Sequence, residues 1–358
     1  MIYLDNAATT KPCSEAAEAA VKCASRCFGN PSSLHHMGVE AEKTITCAKK
    51  TLLNRLGKDG EIFFTSGATE SNNMAIFGIA EALKRRGNRI VTTAIEHPSV
   101  SEPMKKLSER GFEVISLKPK DHADLERAII DAVDEKTILT SFMAVNNEIG
   151  FIIDTKKVYD GVKRKNPFCA VHVDGVQGFC KLPLHGDTIS LSGHKIHCFK
   201  GIGALYKNKD TRLLPISFGG GQQGGLRSGT EPVELAAAFE AAVKAYPENV
   251  TVFSALRHRL TEHLERLNRI IINSPENGID NILNFSVLGV RSEIMLHFLE
   301  EKGIYVSSGS ACSKGKIGSA PDAFGFSAER ADSAVRVSFC GNNTEKEVDT
   351  LAEALEEG

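Results

Sequence analysis

Lys195 closes the run Asp187-Thr-Ile-Ser-Leu-Ser192-Gly-His194-Lys195, and the run before it, His172-Val-Asp174-Gly-Val-Gln177, delivers an aspartate. A lysine flanked by small and polar residues at the end of an apolar segment does not read as a solvated surface charge. Paired with Asp174, it points to a lysine that forms a Schiff base with pyridoxal phosphate. In that chemistry the aspartate holds the pyridinium nitrogen protonated and the ring stores electrons. Standing alone, Ser192-Gly-His-Lys195 reads equally well as a turn.

Other segments could serve the same cofactor. Gly67-Ala68-Thr69-Glu-Ser71 follows a short apolar run and would place free backbone N–H groups and a hydroxyl at a helix N-terminus. That arrangement binds phosphate; the plain alternative is an ordinary helix cap. Ser192 and His194 could add donors to the same phosphate, and His97, before a proline, could stack on a planar ring or be structural. Asp174, if buried, needs either a protonated pyridine nitrogen or an arginine, because an unpaired buried charge is costly. Five glycines between Gly219 and Gly225 precede Arg227-Ser-Gly-Thr230. They imply unusual backbone angles or close approach to a ligand, without the Lys-Ser/Thr of a Walker A loop.

His194-Lys-Ile-His197-Cys198 offers three zinc-type ligands but no fourth at sensible spacing, so no metal is expected. Cys23 and Cys27, one helical turn apart, read as a packed face. Cys312 differs. It lies in Ser307-Ser-Gly309-Ser-Ala-Cys312-Ser-Lys314-Gly-Lys316, a glycine-rich loop where exposure and two lysines favour the thiolate. Little periodicity appears from Ser307 to about Ser327, and loops of that length are usually functional or disordered. A swinging nucleophile is preferred to an incidental exposed thiol.

The elements that must position these residues alternate between strand and helix patterns. Glu61–Thr65, Arg89–Ala94, Thr137–Val145, Ala170–Val173 and Thr188–Leu191 are apolar on both faces, and each leads into a candidate site residue or a polar turn. This predicts a mostly parallel sheet covered by helices, with ligands at the carboxyl ends of its strands. The character changes near Tyr246-Pro247. A long helix is expected from about Thr251 to Ile270, then strands near 282–287, 304–306 and 334–339 and a helix near 293–301. Thr344-x-x-Glu347 is a capping box opening a last helix. The expected division is a large domain over 15–248, and a small α+β domain from 1–14 with 249–358 carrying the cysteine loop.

Composition sets bounds. The 358 residues are 42% hydrophobic and 25% charged with net charge −2, ordinary for a soluble protein and giving no reason to expect nucleic acid or an anionic membrane. Nine cysteines form no C-x-x-C pair, and no apolar run approaches membrane-spanning length. The start, Met-Ile-Tyr-Leu-Asp-Asn, lacks the basic start and apolar core of a signal peptide. A reducing cytoplasm is the expectation.

Together the motifs closely resemble the cysteine desulfurases, in the class V aminotransferase branch of fold-type I pyridoxal-phosphate enzymes. The likeness runs almost end to end, through Tyr3-Leu-Asp-Asn-Ala-Ala-Thr-Thr10, Asn30-Pro-Ser-Ser-Leu-His35, Phe64-Thr-Ser-Gly-Ala-Thr-Glu-Ser-Asn-Asn73 and Glu96-His-Pro-Ser-Val100. It continues in Val145-Asn-Asn-Glu-Ile-Gly150, His172–Gln177, Ser192–Lys195, Arg227-Ser-Gly-Thr-Glu231, Asn281-Ile-Leu-Asn-Phe-Ser286 and Ser307–Cys312. The resemblance implies that Lys195 carries the cofactor and shuttles the Cα proton, with Asp174 on the pyridinium nitrogen and Gln177 on the ring hydroxyl. It implies that His97 stacks on the ring and assists proton transfer. Ala68, Thr69, Ser192 and His194 would hold the phosphate, with Thr230 reaching over from the second subunit of a homodimer. Asn146, also placed beside the cofactor, and Arg336 would fix the substrate carboxylate, the arginine by a bidentate fork. The implied reaction takes sulfur from L-cysteine, leaves L-alanine, and holds a persulfide on Cys312 for an unidentified sulfur-acceptor protein.

Three departures stand out. Cys198-Phe199 replaces the Gly-Pro usual in the family; Gln222-Gln-Gly-Gly replaces the more usual Gln-Glu; and no Leu-Glu-Pro-Ser pattern follows Cys312. The sequence ends soon after its last helix, so an extension for a scaffold partner is not expected. The alternatives are a related lyase of the selenocysteine lyase kind, with Cys312 dispensable, and a catalytically altered or metal-binding scaffold.

Overall fold

The structure is a computed structural model that describes residues 1–247, 251–308 and 320–357. Its largest element is a seven-stranded sheet. In spatial order the strands are Glu61–Thr65, Gly203–Lys207, Thr188–Ser192, Ala170–Asp174, Thr137–Met143, Arg89–Thr93 and Glu113–Leu117. Gly203–Lys207 runs antiparallel to both neighbours and the remaining pairings are parallel. Helices cover both faces, so the inner strands are buried throughout: every residue of Thr137–Met143 and Thr188–Ser192 is buried. This is the α/β architecture the sequence predicts.

Two of these strands escape the sequence reading. Glu113–Leu117 lies at the sheet edge and is only half-buried, so it carries no continuous apolar run. Gly203–Lys207 begins at a glycine, yet it lies inside the sheet, next to the strand that leads into the lysine-bearing turn.

A four-stranded antiparallel sheet is built from Ser307–Ser308, Ala334–Ser338, Ile282–Val287 and Ile270–Ile272. Its own apolar cluster gathers Leu4, Phe253, Leu260, Phe285, Leu299, Val337 and Leu351, so an N-terminal residue packs among C-terminal ones. The helix expected to reach Ile270 stops at Leu264. Arg269 then adopts a left-handed φ of 65° and turns the chain into the strand Ile270–Ile272. The capping box forms: Thr344 N donates to Glu347 Oε2 at 2.9 Å and Glu347 N to Thr344 Oγ1 at 3.3 Å. No helix among the described residues is long and apolar enough to cross a membrane.

Candidate active site

A cavity of about 620 Å³ opens at the carboxyl ends of the parallel strands, a size suited to a small ligand. The turns after four of those strands bring Ala68, Thr69, His97, Glu148 and Lys195 to its wall, and Asp174 ends a fifth.

One end suits a phosphate. Gly67 links the strand Glu61–Thr65 to the helix Ala68–Leu83, and no side chain caps the helix's first N–H groups. Unpaired amides and the helix dipole there favour an anion. The turn can lie flat because its neighbour is also glycine: a Cβ on Gly203 would meet Gly67 Cα and C at 2.6 Å. Glu70 ties the turn down, accepting from Ser66 N at 2.6 Å and from Arg227 Nε at 2.8 Å. The Arg227 motif thus braces the phosphate turn from behind. Ser192 and His194 line the same cavity. Burial, then the Lys195 charge, pushes His194 down to about 4, so its ring is neutral.

Lys195 ends the short helical turn Gly193–Lys195. Its Nζ donates to Ala7 O at 2.6 Å and Ala8 O at 2.7 Å, and Gln177 Nε2 donates to the same Ala7 O at 2.9 Å. Burial first, then the nearby Arg336 charge, lowers the ammonium to about 8. The departure at Cys198 is accommodated. Its side chain is buried beneath the turn and its thiol is pushed up to about 12 by burial, so it fills space as an inert apolar group.

Asp174 is 6% exposed. Its carboxylate accepts from Asn72 Nδ2 at 2.9 Å and from Val176 N at 3.1 Å, and no described lysine or arginine pairs with it. A buried carboxylate that faces the cavity with no cation paired to it fits a protonated pyridine nitrogen. Together with the uncapped helix end and the buried lysine, it makes the chain's donor set suit pyridoxal phosphate. His97 also lines the cavity; burial holds its ring below the ordinary histidine range, with the Asp174 carboxylate opposing and the Lys195 ammonium adding.

Across the cavity stands Arg336, on the strand Ala334–Ser338 and 7% exposed. Nη1 donates to Asn147 O at 2.9 Å and Nη2 to Asp5 Oδ1 at 2.8 Å. Asn147 and Glu148 are lining residues that the sequence reading missed. Burial lifts the Glu148 carboxyl to about 7 against the pull of Arg336.

Asn146, by contrast, is not among the residues that line the cavity. Its side chain is buried, with Oδ1 accepting from Glu148 N at 3.0 Å and Ile149 N at 2.9 Å and Nδ2 donating to Ile95 O at 3.2 Å. It shapes the turn, and Asn147 takes the place at the wall. Two adjacent asparagines in a sequence give no signal for which faces inward.

Thr230 is exposed and is not a lining residue within one chain. Cys312 lies outside the described residues, although Ser307 and Ser308, just before it, line the cavity. His194 and His197 turn to different partners, Thr9 Oγ1 and Lys11 O, rather than converging on a common point.

The class-V aminotransferase family model matches residues 2–351. A NifS/IcsS protein homolog of Lactobacillus delbrueckii subsp. bulgaricus is 37% identical, covering all of this chain and 97% of the relative. A cysteine desulfurase IscS of Clostridium botulinum is 34% identical over 99% of this chain and 93% of its own. A solved NifS-like protein superposes with a TM-score of 0.91 at 37% identity, covering 99% of this chain and 98% of that one. The chain belongs to the class-V aminotransferase family, in its cysteine desulfurase branch.

Proposed function

We propose that the chain is a pyridoxal-phosphate-dependent cysteine desulfurase, converting L-cysteine to L-alanine with the sulfur held as a persulfide on Cys312. The observation that carries this reading is the meeting of Lys195, Asp174 and Arg336 around one cavity. The cofactor supplies there an electron sink that makes the substrate Cα proton acidic and loosens the bond to sulfur. Each residue then has a task. Ala68, Thr69, Ser192 and His194 hold the phosphate, Gln177 contacts the ring hydroxyl, and Asp174 keeps a proton on the ring nitrogen. Arg336 receives the substrate carboxylate. Lys195, with a pKa near 8, is neutral often enough to take the Cα proton and return it.

The net change balances without an outside oxidant: L-cysteine and the Cys312 thiol become L-alanine and the Cys312 persulfide. The thiolate attacks the substrate sulfur, the carbon–sulfur bond breaks toward carbon, and a proton completes the methyl group. Cys312 is four positions beyond Ser308 at the cavity wall, a reach of at most about 14 Å. An acceptor protein then takes the sulfur. A homodimer belongs to the same reading, with Thr230 completing its neighbour's phosphate site. Its support is the set of large apolar side chains left exposed, including Phe28 at 70%, Leu34 at 98% and Phe218 at 83%.

The test is a product balance. With L-cysteine and a thiol reductant, the holoenzyme should form alanine and sulfide in equal amounts, and Cys312→Ala should stop both. Undiminished alanine formation by that variant would move the nucleophile elsewhere.

A further inference from the structure

Behind Asp174 and His97, one amide serves both sides of the cavity. Asn72 lies inside the helix Ala68–Leu83 and is fully buried. Its Nδ2 donates to Asp174 Oδ2 at 2.9 Å and also to Ser99 Oγ at 2.9 Å. Its Oδ1 meets His172 Nε2 at 3.0 Å, and His172 Nδ1 meets Thr188 Oγ1 at 2.9 Å. Beyond Ser99, the hydroxyl lies 2.8 Å from His97 Nδ1, and the Ser99 backbone N–H reaches the same nitrogen at 3.1 Å.

The direction of every bond in this chain follows from Asp174. An ionised carboxylate only accepts, so the Asn72 NH2 must face it, which turns Oδ1 toward His172. His172 is fully buried and neutral, its pKa pushed down to about 3 by burial, so Nε2 carries its proton and Nδ1 accepts from Thr188. The second Asn72 proton goes to Ser99 Oγ, leaving the serine hydroxyl free to donate to His97 Nδ1. That nitrogen therefore receives two donors, a hydroxyl and a backbone amide. It cannot carry a proton of its own without facing both. The His97 proton sits on Nε2, on the opposite edge of a ring that lines the cavity.

We propose that Asn72 and Ser99 are positioning residues that hold His97 as its Nε2–H tautomer, so that His97 donates a hydrogen bond into the cavity and Lys195 alone takes the substrate proton. The charged neighbours agree with this division. The groups acting on the His97 ring are the Asp174 carboxylate and the Lys195 ammonium. The adjacent Glu96 turns away, its Oε1 accepting from Thr93 Oγ1 and from Met143 N. The same amide anchors Asp174, so the partner of the ring nitrogen and the orientation of His97 are set together. The lock on His97 is independent of what the substrate is; the assignment of the base rests on the desulfurase reading.

Ring NMR on histidine-labelled holoenzyme tests the lock without turnover, with His97→Gln assigning the signal. The neutral His97 ring is expected to be Nε2–H. Asn72→Ala removes the donor that orders Ser99, and Ser99→Ala removes the hydroxyl while keeping Asn72 on Asp174. In each variant that folds, the His97 pKa is expected to rise by about one unit or more, back toward the ordinary histidine value. Finding Nδ1–H in the unaltered enzyme, or a His97 titration unmoved in Ser99→Ala, would overturn the proposal. On the kinetic side, the acid limb of kcat with L-cysteine should follow Lys195 and stay in place in Ser99→Ala. A limb that moves with the His97 ring would make His97 the base. Absence of any turnover with L-cysteine would instead count against the desulfurase reading and leave the ring measurement standing.

Discussion

Asp5 and Arg336 are 331 positions apart in the chain and meet at 2.8 Å beside the cavity. The pair joins the N-terminal segment to the strand Ala334–Ser338, while Asn147 O holds the other arm of the guanidinium. Arg336 is thereby oriented before any substrate carboxylate arrives, and the cost of ordering a long side chain is met in folding rather than in binding.

Asp5→Ala removes the counter-ion of an arginine that is only 7% exposed. Breaking such a pair from one side is expected to cost about 3 kcal/mol, read as a lowered denaturation midpoint. Arg336→Lys keeps the charge but loses the fork, so the KM for L-cysteine should rise about tenfold or more with a smaller change in kcat.

The pH dependence follows from Lys195. Its pKa of about 8 lies below that of an ordinary lysine, so the amine is increasingly protonated as pH falls below 8. Only the neutral amine can capture an aldehyde or take a proton. The rate at which cofactor-free protein takes up pyridoxal phosphate should therefore climb with pH up to about 8 and level above it. Lys195→Ala should show no covalent uptake at any pH.

Gly203 is a steric test of the phosphate turn. A Cβ there would lie 2.6 Å from Gly67 Cα and 2.7 Å from Leu191 O, all backbone that cannot step aside. Gly203→Ala should displace the turn and weaken cofactor retention by at least tenfold, measured by equilibrium dialysis.

Gln223 makes a parallel case in the glycine-rich loop. Its side chain is bonded to both backbone groups of Phe64, accepting from N at 2.7 Å and donating to O at 2.8 Å. Gln223→Ala would leave those buried groups unmatched, at a cost of about 2–4 kcal/mol, seen as a lowered melting temperature.

The sheet and most of the cavity wall were legible because strands covered on both faces must be apolar, and their polar stops mark the ligand side. Asp174, Lys195 and His97 each follow or close such a run. What stayed hidden depended on direction. Asn72 reads as one polar residue in a helix, and only the packed structure shows it bridging Asp174 and Ser99. Asn146 and Asn147 are indistinguishable until the turn is built. Asp5 could not be paired with Arg336 from spacing, since no local rule links the two ends of a chain.

The central claim is that this cavity loads pyridoxal phosphate on Lys195 and acts on L-cysteine. The most direct measurement is the visible absorbance of the purified protein, supplied with pyridoxal phosphate, before and after L-cysteine. The account predicts a yellow band that is lost in Lys195→Ala and shifts within the dead time of mixing with substrate. A protein that stays colourless with the cofactor present, or a yellow one whose band ignores L-cysteine, would contradict it.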